Sequence, residues 1–298
     1  MRVSLTGSSG LVGRALAQSL AASGHEVLRL VRSKSGLQSG EFYWNPQTGE
    51  LDRDGLEGAD AVVHLAGETI AARWTPARKA LIRDSRIWST RLLAETLGSL
   101  QRPPSVFISS SAIGYYGDRG SELLREESSP GSGFLSEVCR AWESETERAE
   151  PFGVRVVRLR TGIVLSAAGG ALAKMLLAFR LGLGGRLGSG DQYMSWISLE
   201  DTVGAITHAL LTEKLRGPVN MVAPNPVTNR EFTAVLGKVL GRPTIFPVPA
   251  FALRLAAGEM GEELLLSSAR VEPAKLKSSG YLFRHPTLEQ ALRSALGR

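Results

Sequence analysis

The first thirteen residues, Met1-Arg-Val-Ser-Leu-Thr-Gly-Ser-Ser-Gly-Leu-Val-Gly13, decide the fold of this chain. They join a short apolar strand to a glycine-spaced turn, and an amphipathic helical pattern follows. In such a turn Gly7 permits the tight bend, Gly10 lets the backbone approach a pyrophosphate, and Gly13 allows the helix to pack closely on the strand. The free amides of the first helical turn then face the anion. The stretch therefore predicts a dinucleotide-binding site.

Apolar segments alternate with helical patterns through the first half of the chain. This alternation predicts an α/β fold, a Rossmann-type doubly wound parallel sheet with helices on both faces. The predicted strands lie at residues 3–5, 27–31, 61–65, 106–109 and 154–159. From about Thr161 glycine-rich and proline-punctuated stretches predominate. We therefore expect a nucleotide-binding domain over residues 1–165, joined by a returning strand near 217–222, and a smaller C-terminal substrate lobe over 166–298.

Composition narrows the range of partners. The formal net charge of +6 comes from residues spread along the 298-residue chain, which favours a phosphorylated ligand over nucleic acid. The single cysteine, Cys139, excludes an internal disulfide, and the four histidines lack metal-ligand spacing, so we expect no metal site. The first strand leaves no room for a signal peptide and no apolar run reaches the length of a membrane span, which predicts a cytoplasmic protein. The expected partners are a small-molecule substrate and, as one option, a second copy of the chain.

The end of the second predicted strand indicates which dinucleotide is bound. NAD-binding folds usually carry an acidic residue there, about twenty positions past the glycine turn, to hydrogen-bond the ribose hydroxyls. This chain has Arg32-Ser33-Lys34 instead. A guanidinium and an ammonium at this position favour a 2′-phosphate, and therefore NADP(H) over NAD. The alternative is a solvated basic loop without a ligand.

Several motifs together resemble one protein family. The spacing Gly-x-x-Gly-x-x-Gly is similar to that of the extended branch of the short-chain dehydrogenase/reductase superfamily. Residues 60–67 resemble its His-Leu-Ala-Gly strand end, residues 107–118 its serine-rich strand end, and residues 191–201 its Trp-Ile-x-x-x-Asp signature. Four further stretches extend the match over essentially the whole chain, namely Leu65-Ala-Gly-Glu68, Arg73-Trp74, Ser85-Arg86 and Arg180-Leu-Gly-Leu-Gly-Gly. They resemble the NAD-dependent epimerase/dehydratase-like subfamily with a C-terminal domain of unknown function, sometimes labelled cell-division inhibitors, whose substrate and reaction are not established.

The resemblance implies roles for individual residues. Ser111, the third serine of its strand end, would hydrogen-bond the reacting carbonyl or hydroxyl. Arg86 takes the place of an asparagine, where a cation could reach the cofactor's phosphates or carboxamide, and Ile163 lies in a loop expected over the nicotinamide. The expected cofactor-binding residues are Gly7, Ser9, Gly10, Leu11, Val12, Gly13, Arg32, Ser33, Leu65, Ala66, Gly67, Arg86, Ser109 and Ile163.

The helix after the serine-rich strand departs from the family pattern. Ordinary members carry Tyr-x-x-x-Lys there, and the tyrosine transfers a proton while the lysine lowers its pKa. In this chain the tyrosine position falls on Phe134 or Leu135, and its partner is Val138 or Cys139. A lone helical cysteine is usually a small buried hydrophobe. The usual proton-transfer pair is therefore absent in either alignment.

Two functional hypotheses follow. In the first, the chain is an NADP(H)-dependent reductase or epimerase-like enzyme that acts on a small hydroxy or carbonyl compound. Its expected catalytic residues are Ser111, with Tyr115, Tyr116, Glu68 or bound water as the unidentified proton donor. In the second, the chain is a non-catalytic regulator that reports the state of NADP(H) to a partner, because a retained glycine turn without Tyr-x-x-x-Lys is what that function would require.

Overall fold

The computed structural model describes residues 1–298 and centres on an eight-stranded sheet. The strands are β1 (Arg2–Thr6), β2 (Glu26–Val31), β3 (Glu41–Asn45), β4 (Glu50–Leu51), β5 (Ala61–His64), β6 (Val106–Ala112), β7 (Leu123–Leu124), β8 (Arg155–Thr161), β9 (Ile163–Leu165), β10 (Tyr193–Met194), β11 (Trp196–Ser198), β12 (Gly217–Met221), β13 (Val227–Thr228) and β14 (Arg270–Val271). The order in the large sheet is β12-β8-β6-β5-β1-β2-β3-β4. All neighbours are parallel except β3 and β4, so the expected doubly wound architecture is confirmed.

Helices cover both faces of this sheet. They are α1 (Leu11–Ala22), α2 (Pro76–Leu97), α3 (Phe134–Thr146), α4 (Gly170–Arg180), α5 (Leu199–Leu211), α6 (Asn229–Leu240), α7 (Ala250–Ala257), α8 (Glu259–Gly261), α9 (Ala274–Ser278) and α10 (Leu288–Ala295). On one face β1, β5 and β6 share an apolar core with α1 and α5. On the other face the core includes residues of α2. Burial on both faces explains why the central strands are nearly continuous apolar runs. None of the helices is long and apolar enough to cross a membrane.

The C-terminal part builds a second apolar core outside the large sheet. Helices α4, α6 and α10 pack there around Trp196 and Phe232, next to the small parallel sheet of β9 and β11. The chain nevertheless returns to the large sheet, because α5 lies in the first core and β12 pairs with β8. We therefore propose that residues 1–165 and 166–298 form two lobes. The second lobe contributes α5 and β12 to the core and sheet of the first.

The topology fixes where a ligand binds. From β1 the chain builds β2 and β3 on one side and then crosses to β5 and β6 on the other. Ligands of open α/β sheets bind at such a switch point, beyond the carboxyl ends of the strands. In this chain that edge carries the glycine turn after β1, Arg32 after β2, the segment Leu65–Glu68 after β5 and the serines of β6.

Candidate functional site

The glycine turn leaves one face of its backbone open. A Cβ built on Gly7 would lie 2.8 Å from the backbone of Leu65 and Ala66, and one on Gly13 would lie 2.2 Å from the Gly7 carbonyl oxygen. At Gly10 a Cβ would meet only the Gly7 oxygen, at 3.3 Å. Gly10 begins α1 without any side-chain cap, and the first turn holds no acidic residue. This end of the helix therefore fits the pyrophosphate of a dinucleotide.

A hydrogen-bond network fixes the end of β5 against β1. The Thr6 hydroxyl oxygen accepts from the amides of Leu65 and Ala66 at 3.2 and 3.3 Å and bonds His64 Nδ1 at 2.7 Å. The other ring nitrogen of His64 lies 3.0 Å from the Ser89 hydroxyl. Burial lowers the pKa of His64 to about 3, so the ring is neutral at physiological pH. Leu65 and Ala66 are thus held rigidly beside the glycine turn.

The basic segment after β2 offers one free cation. Arg32 is exposed and forms no hydrogen bond or ion pair within the protein, whereas Lys34 lies 2.6 Å from Glu50 and over the ring of Tyr43. The Ser33 hydroxyl donates to the Ser35 carbonyl within the same loop. Arg32 is therefore the residue of this loop best able to bind a 2′-phosphate.

Arg86 on α2 lies at the end of β5, against Gly67. A Cβ on Gly67 would come within 3.4 Å of the Arg86 Cζ. The guanidinium donates to the carbonyls of Ile82 and Glu68 at 2.9 and 3.0 Å, and its Cζ lies 5.1 Å from the centroid of the Trp142 ring. It has no carboxylate partner.

Ser111 is buried and its hydroxyl is already engaged. It donates to Glu143 Oε1 at 2.7 Å, and that carboxylate also accepts from Arg160 at 2.9 Å through both oxygens. The Arg160 and Glu143 side chains are only 4% and 8% exposed. A serine has a single O–H donor, so in this arrangement only its lone pairs remain for a substrate.

The two candidate tyrosines face Arg160 and not the edge of β5. Tyr116 is completely buried, its hydroxyl donates to Asn220 Oδ1 at 2.7 Å, and it accepts from Arg160 at 3.0 Å. Burial raises its pKa to about 12. The Tyr115 ring lies under the Arg160 guanidinium, 3.4 Å from Cζ to centroid, and lines a polar cleft of about 720 Å³ on the outer side of α3. The Tyr116 hydroxyl is therefore fully hydrogen-bonded within the protein, whereas the Tyr115 hydroxyl has no hydrogen-bond partner. A role of either tyrosine as proton donor stays a prediction.

Glu68 lies at the edge of the site but is paired. Its Oε1 is 2.8 Å from the Arg78 guanidinium. The hydrogen bond from Arg78 is the main reason why the pKa of Glu68 lies below its ordinary value. The carboxylate is therefore ionised at neutral pH, where it can accept a proton but cannot donate one.

Helix α3 resolves the alternative left open by the sequence. A Cβ on Gly114, just after β6, would lie 3.1 Å from the Leu135 Cβ and 3.9 Å from the Cys139 Sγ. The Cys139 thiol also contacts the Ala112 carbonyl at 3.7 Å. Leu135 and Cys139 are thus the pair that faces the serine strand. Burial raises the pKa of Cys139 to about 11, so its thiol is neutral.

The remaining predicted residues lie around the same edge with different surroundings. Ser9 is exposed, and Val12 packs against the core under α1. Ser109 is fully buried inside β6. Leu11 faces Gly169 and Gly170 of the second lobe, since a Cβ added to either glycine would lie 3.6 Å from its side chain. Ile163 is half-buried at the lobe junction, where its amide donates to the Ser195 carbonyl.

The sequence did not predict the contacts that join the second lobe to α2 and α3 beside the carboxyl edge of the sheet. The Glu263 carboxylate accepts from the amides of Phe134 and Leu135 at 2.8 and 2.9 Å and so caps α3. Lys79 on α2 pairs with Glu259 at 2.8 Å. Glu263 lies in a single π-helical turn, a feature often found at functional sites. Its partners lie about 130 residues away in the sequence, so no local pattern predicts these contacts.

Together, the switch-point turn and the adjoining serine strand define a dinucleotide-binding α/β protein of the extended short-chain dehydrogenase/reductase type. A profile of the NAD dependent epimerase/dehydratase family matches residues 3–221, and a profile described as a domain of unknown function, DUF1731, matches residues 248–295. The chain belongs to the NAD dependent epimerase/dehydratase family.

Relatives of known sequence or structure extend over the full length. Epimerase family protein Mb2239 of Mycobacterium bovis is 46% identical over 297 residues, covering 99% of this chain and 98% of the relative. The crystal structure of human epimerase family protein SDR39U1 (isoform 2) with NADPH has a TM-score of 0.92 at 35% identity and covers 100% of both chains. A nucleoside-diphosphate sugar epimerase from Corynebacterium glutamicum has a TM-score of 0.83 at 38% identity and covers 100% of this chain and 58% of that one.

Proposed function

We propose that this chain binds NADP(H) and is a reductase or epimerase-like protein for a small hydroxy or carbonyl compound. The observation that carries the proposal is the free Arg32 beside the open face of Gly10, because these two features fit a 2′-phosphate and a pyrophosphate on one ligand. The human relative whose structure contains NADPH supports the same choice. The substrate would lie between the carboxyl edge of the sheet and the second lobe.

When bound, NADP(H) supplies hydride chemistry, and the residues of the chain then have distinct tasks. Gly10 and the first turn of α1 hold the pyrophosphate, and Arg32 selects the phosphorylated ribose. Ser111 presents lone pairs that can accept a hydrogen bond from a substrate hydroxyl. Glu68 places an ionised carboxylate, paired with Arg78, at the edge of the site.

The second candidate function is that of a non-catalytic NADP(H) sensor. It is favoured by the engagement of several side chains that could replace the missing tyrosine. Ser111 donates to Glu143, Tyr116 to Asn220, and Cys139 lies at the lysine position with a neutral thiol. A partner whose affinity for the protein changes between NADP⁺ and NADPH would establish this function.

Titration with reduced cofactors tests the proposed function. We expect NADPH to bind more tightly than NADH, and we expect Arg32→Ala to reduce the difference by about 1 to 3 kcal/mol, because a charge-assisted bond to the phosphate is lost. Lys34→Ala is the matched control, since Lys34 is already paired with Glu50. Equal calorimetric affinities of the wild type for NADPH and NADH would contradict the proposal.

A substrate screen tests the enzymatic part of the proposal, because measurable turnover of any substrate would favour the enzyme over the sensor. A tyrosine assisted by a lysine contributes about a hundred- to ten-thousand-fold to proton-transfer rates. We therefore expect little or no turnover of simple aldehydes, ketones or UDP-sugars. If a substrate is found, we expect Ser111→Ala to lower kcat more than it raises KM. A kcat that is unchanged by Ser111→Ala would remove this residue from the mechanism.

The oligomeric state and the cellular location of the protein are also predictions. A homodimer is one option, and sedimentation of the purified chain would test it. The cytoplasmic location is also a prediction, because one relative, from Arabidopsis thaliana, is named as chloroplastic. Fractionation of the source cells would decide it.

A further inference from the structure

We propose that Arg86 makes this site discriminate between the oxidation states of its cofactor, so that NADPH binds in preference to NADP⁺. The inference rests on the proposed function, because it requires a dinucleotide in the cleft. It goes further by assigning one uncompensated charge to the nicotinamide end and by predicting its effect on the redox preference of the site.

The position of Arg86 follows from the strand order. Because Arg32 follows β2 and the glycine turn follows β1, a dinucleotide with its 2′-phosphate at Arg32 and its pyrophosphate at α1 must extend toward β5 and β6. Arg86 lies beside Gly67, just beyond β5, and packs on Trp142 of α3. It therefore lies on the β5 side of the glycine turn, between β5 and α3, and we place the nicotinamide half there.

The guanidinium has spare hydrogen-bonding capacity. Arginine carries five N–H donors, and protein carbonyls accept from Arg86 at only two of its nitrogens, Nη1 and Nη2. Both of these acceptors, Ile82 O and Glu68 O, are neutral. The remaining donors can reach a ligand that passes over Gly67.

No carboxylate forms an ion pair with Arg86, and Glu68 acts on its charge only from a greater distance. Other shielded arginines near the site have carboxylate partners: Arg78 pairs with Glu68 at 2.8 Å, and Arg160 with Glu143 at 2.9 Å. Arg86 has none within ion-pairing distance. The neighbouring Cys139 does not compensate, because burial raises the pKa of its thiol to about 11 and keeps it neutral. Arg86 is thus a half-buried, unpaired cation.

Such a cation acts differently on the two forms of the cofactor. NADP⁺ carries a positive nicotinamide ring and NADPH a neutral one, whereas both carry the same phosphates. Repulsion between two like charges several ångströms apart, at an effective dielectric constant between about 20 and 80, corresponds to a factor of roughly three to fifty in affinity. An arginine that contacted only the phosphates would strengthen the binding of both forms alike.

The test is the ratio of the dissociation constant of NADP⁺ to that of NADPH. In the wild type we expect NADPH to bind at least about threefold more tightly than NADP⁺. We expect Arg86→Met to bring the ratio close to one and Arg86→Lys to preserve it, because lysine keeps the charge. Arg83→Met on the same helix is the matched surface control, and Arg32→Ala should weaken both forms equally.

The outcomes separate this inference from the proposed function. If neither form of the cofactor binds the wild type, the proposed function fails. If both bind the wild type equally, or if a folded Arg86→Met protein keeps the wild-type ratio, the role of Arg86 is overturned. Circular dichroism verifies folding, and Arg86→Gln replaces the methionine variant if that variant does not fold.

Discussion

At the scale of single residues, Gly10 and Gly13 stand in the same turn but respond differently to an added side chain. Gly10 has an extended backbone, with φ −73° and ψ 171°, that any residue can adopt, and an added Cβ would meet only the Gly7 carbonyl oxygen, at 3.3 Å. At Gly13 an added Cβ would meet the Gly7 carbonyl oxygen at 2.2 Å. The first glycine is thus needed for the ligand and the second for packing.

This contrast gives the first prediction. We expect Gly10→Val to abolish NADPH binding in a protein that still folds, with a loss of about 1 kcal/mol for valine at a helix start. We expect Gly13→Ala to destabilise the fold by about 1 to 3 kcal/mol or more, because the helix must move away from the strand. Urea unfolding and NADPH fluorescence measure the two effects. A folded Gly10→Val protein that enhances NADPH fluorescence like the wild type would contradict this prediction.

His64 provides a prediction on pH. Its pKa is about 3 in the folded chain and about 6.5 when unfolded, so below pH 6.5 the unfolded state binds the additional proton. Stability is therefore unaffected above this value and falls as the pH is lowered from 6.5 toward 3. Between pH 7.5 and pH 5 the histidine should account for a loss of roughly 2 kcal/mol.

Urea unfolding of His64→Gln at both pH values checks this assignment. The variant should lose less stability than the wild type on acidification, even if it is less stable at pH 7.5. His25→Gln is the control, because His25 is only partly buried and lies between α1 and β2. An identical pH dependence in the wild type and His64→Gln would show that the histidine does not carry the effect.

At the scale of elements, the buried ion pair between Arg160 of β8 and Glu143 of α3 joins the sheet to a helix. Removing one member of a buried pair leaves an uncompensated charge, which costs about 3 to 5 kcal/mol. We expect Glu143→Leu to destabilise by this order. Glu147→Leu should cost less than about 1 kcal/mol, since its pair with Arg158 is on the surface and Glu147 is 59% exposed. Equal losses in chemical denaturation would contradict this account.

The elements differ in how far their sequence predicts them. The expected central strands are present because burial on both faces leaves a nearly continuous apolar signal. The sequence did not predict strand β3, Glu41–Asn45, because this strand lies near the sheet edge. Its polar and aromatic residues do not form the continuous apolar run of a central strand. The contacts of Arg86 with Gly67 and Trp142 could not be predicted, because packing of separate elements creates them. The same holds for the hydrogen bond between Ser111 and Glu143.

At the scale of the whole molecule, the second lobe is fastened to the first by Glu263 at the start of α3. A carboxylate on two free amides of a helix is a cap supplied from a distant part of the chain, and its loss typically costs about 0.5 to 2 kcal/mol. We expect Glu263→Ala to speed hydrogen exchange of the Phe134 and Leu135 amides. Glu262→Ala should not, because Glu262 pairs with Arg254 on the surface. Unchanged exchange in Glu263→Ala would show that the lobes are held by other contacts.

The central claim is that one NADPH molecule spans the sheet edge from Arg32, across Gly10, to Arg86. A crystal structure of the complex with NADPH measures this directly. We predict the 2′-phosphate within hydrogen-bonding distance of Arg32, the pyrophosphate at the first turn of α1, and the nicotinamide beside Gly67 and Arg86. A bound cofactor whose nicotinamide lies away from Arg86, or whose 2′-phosphate does not contact Arg32, would contradict the account.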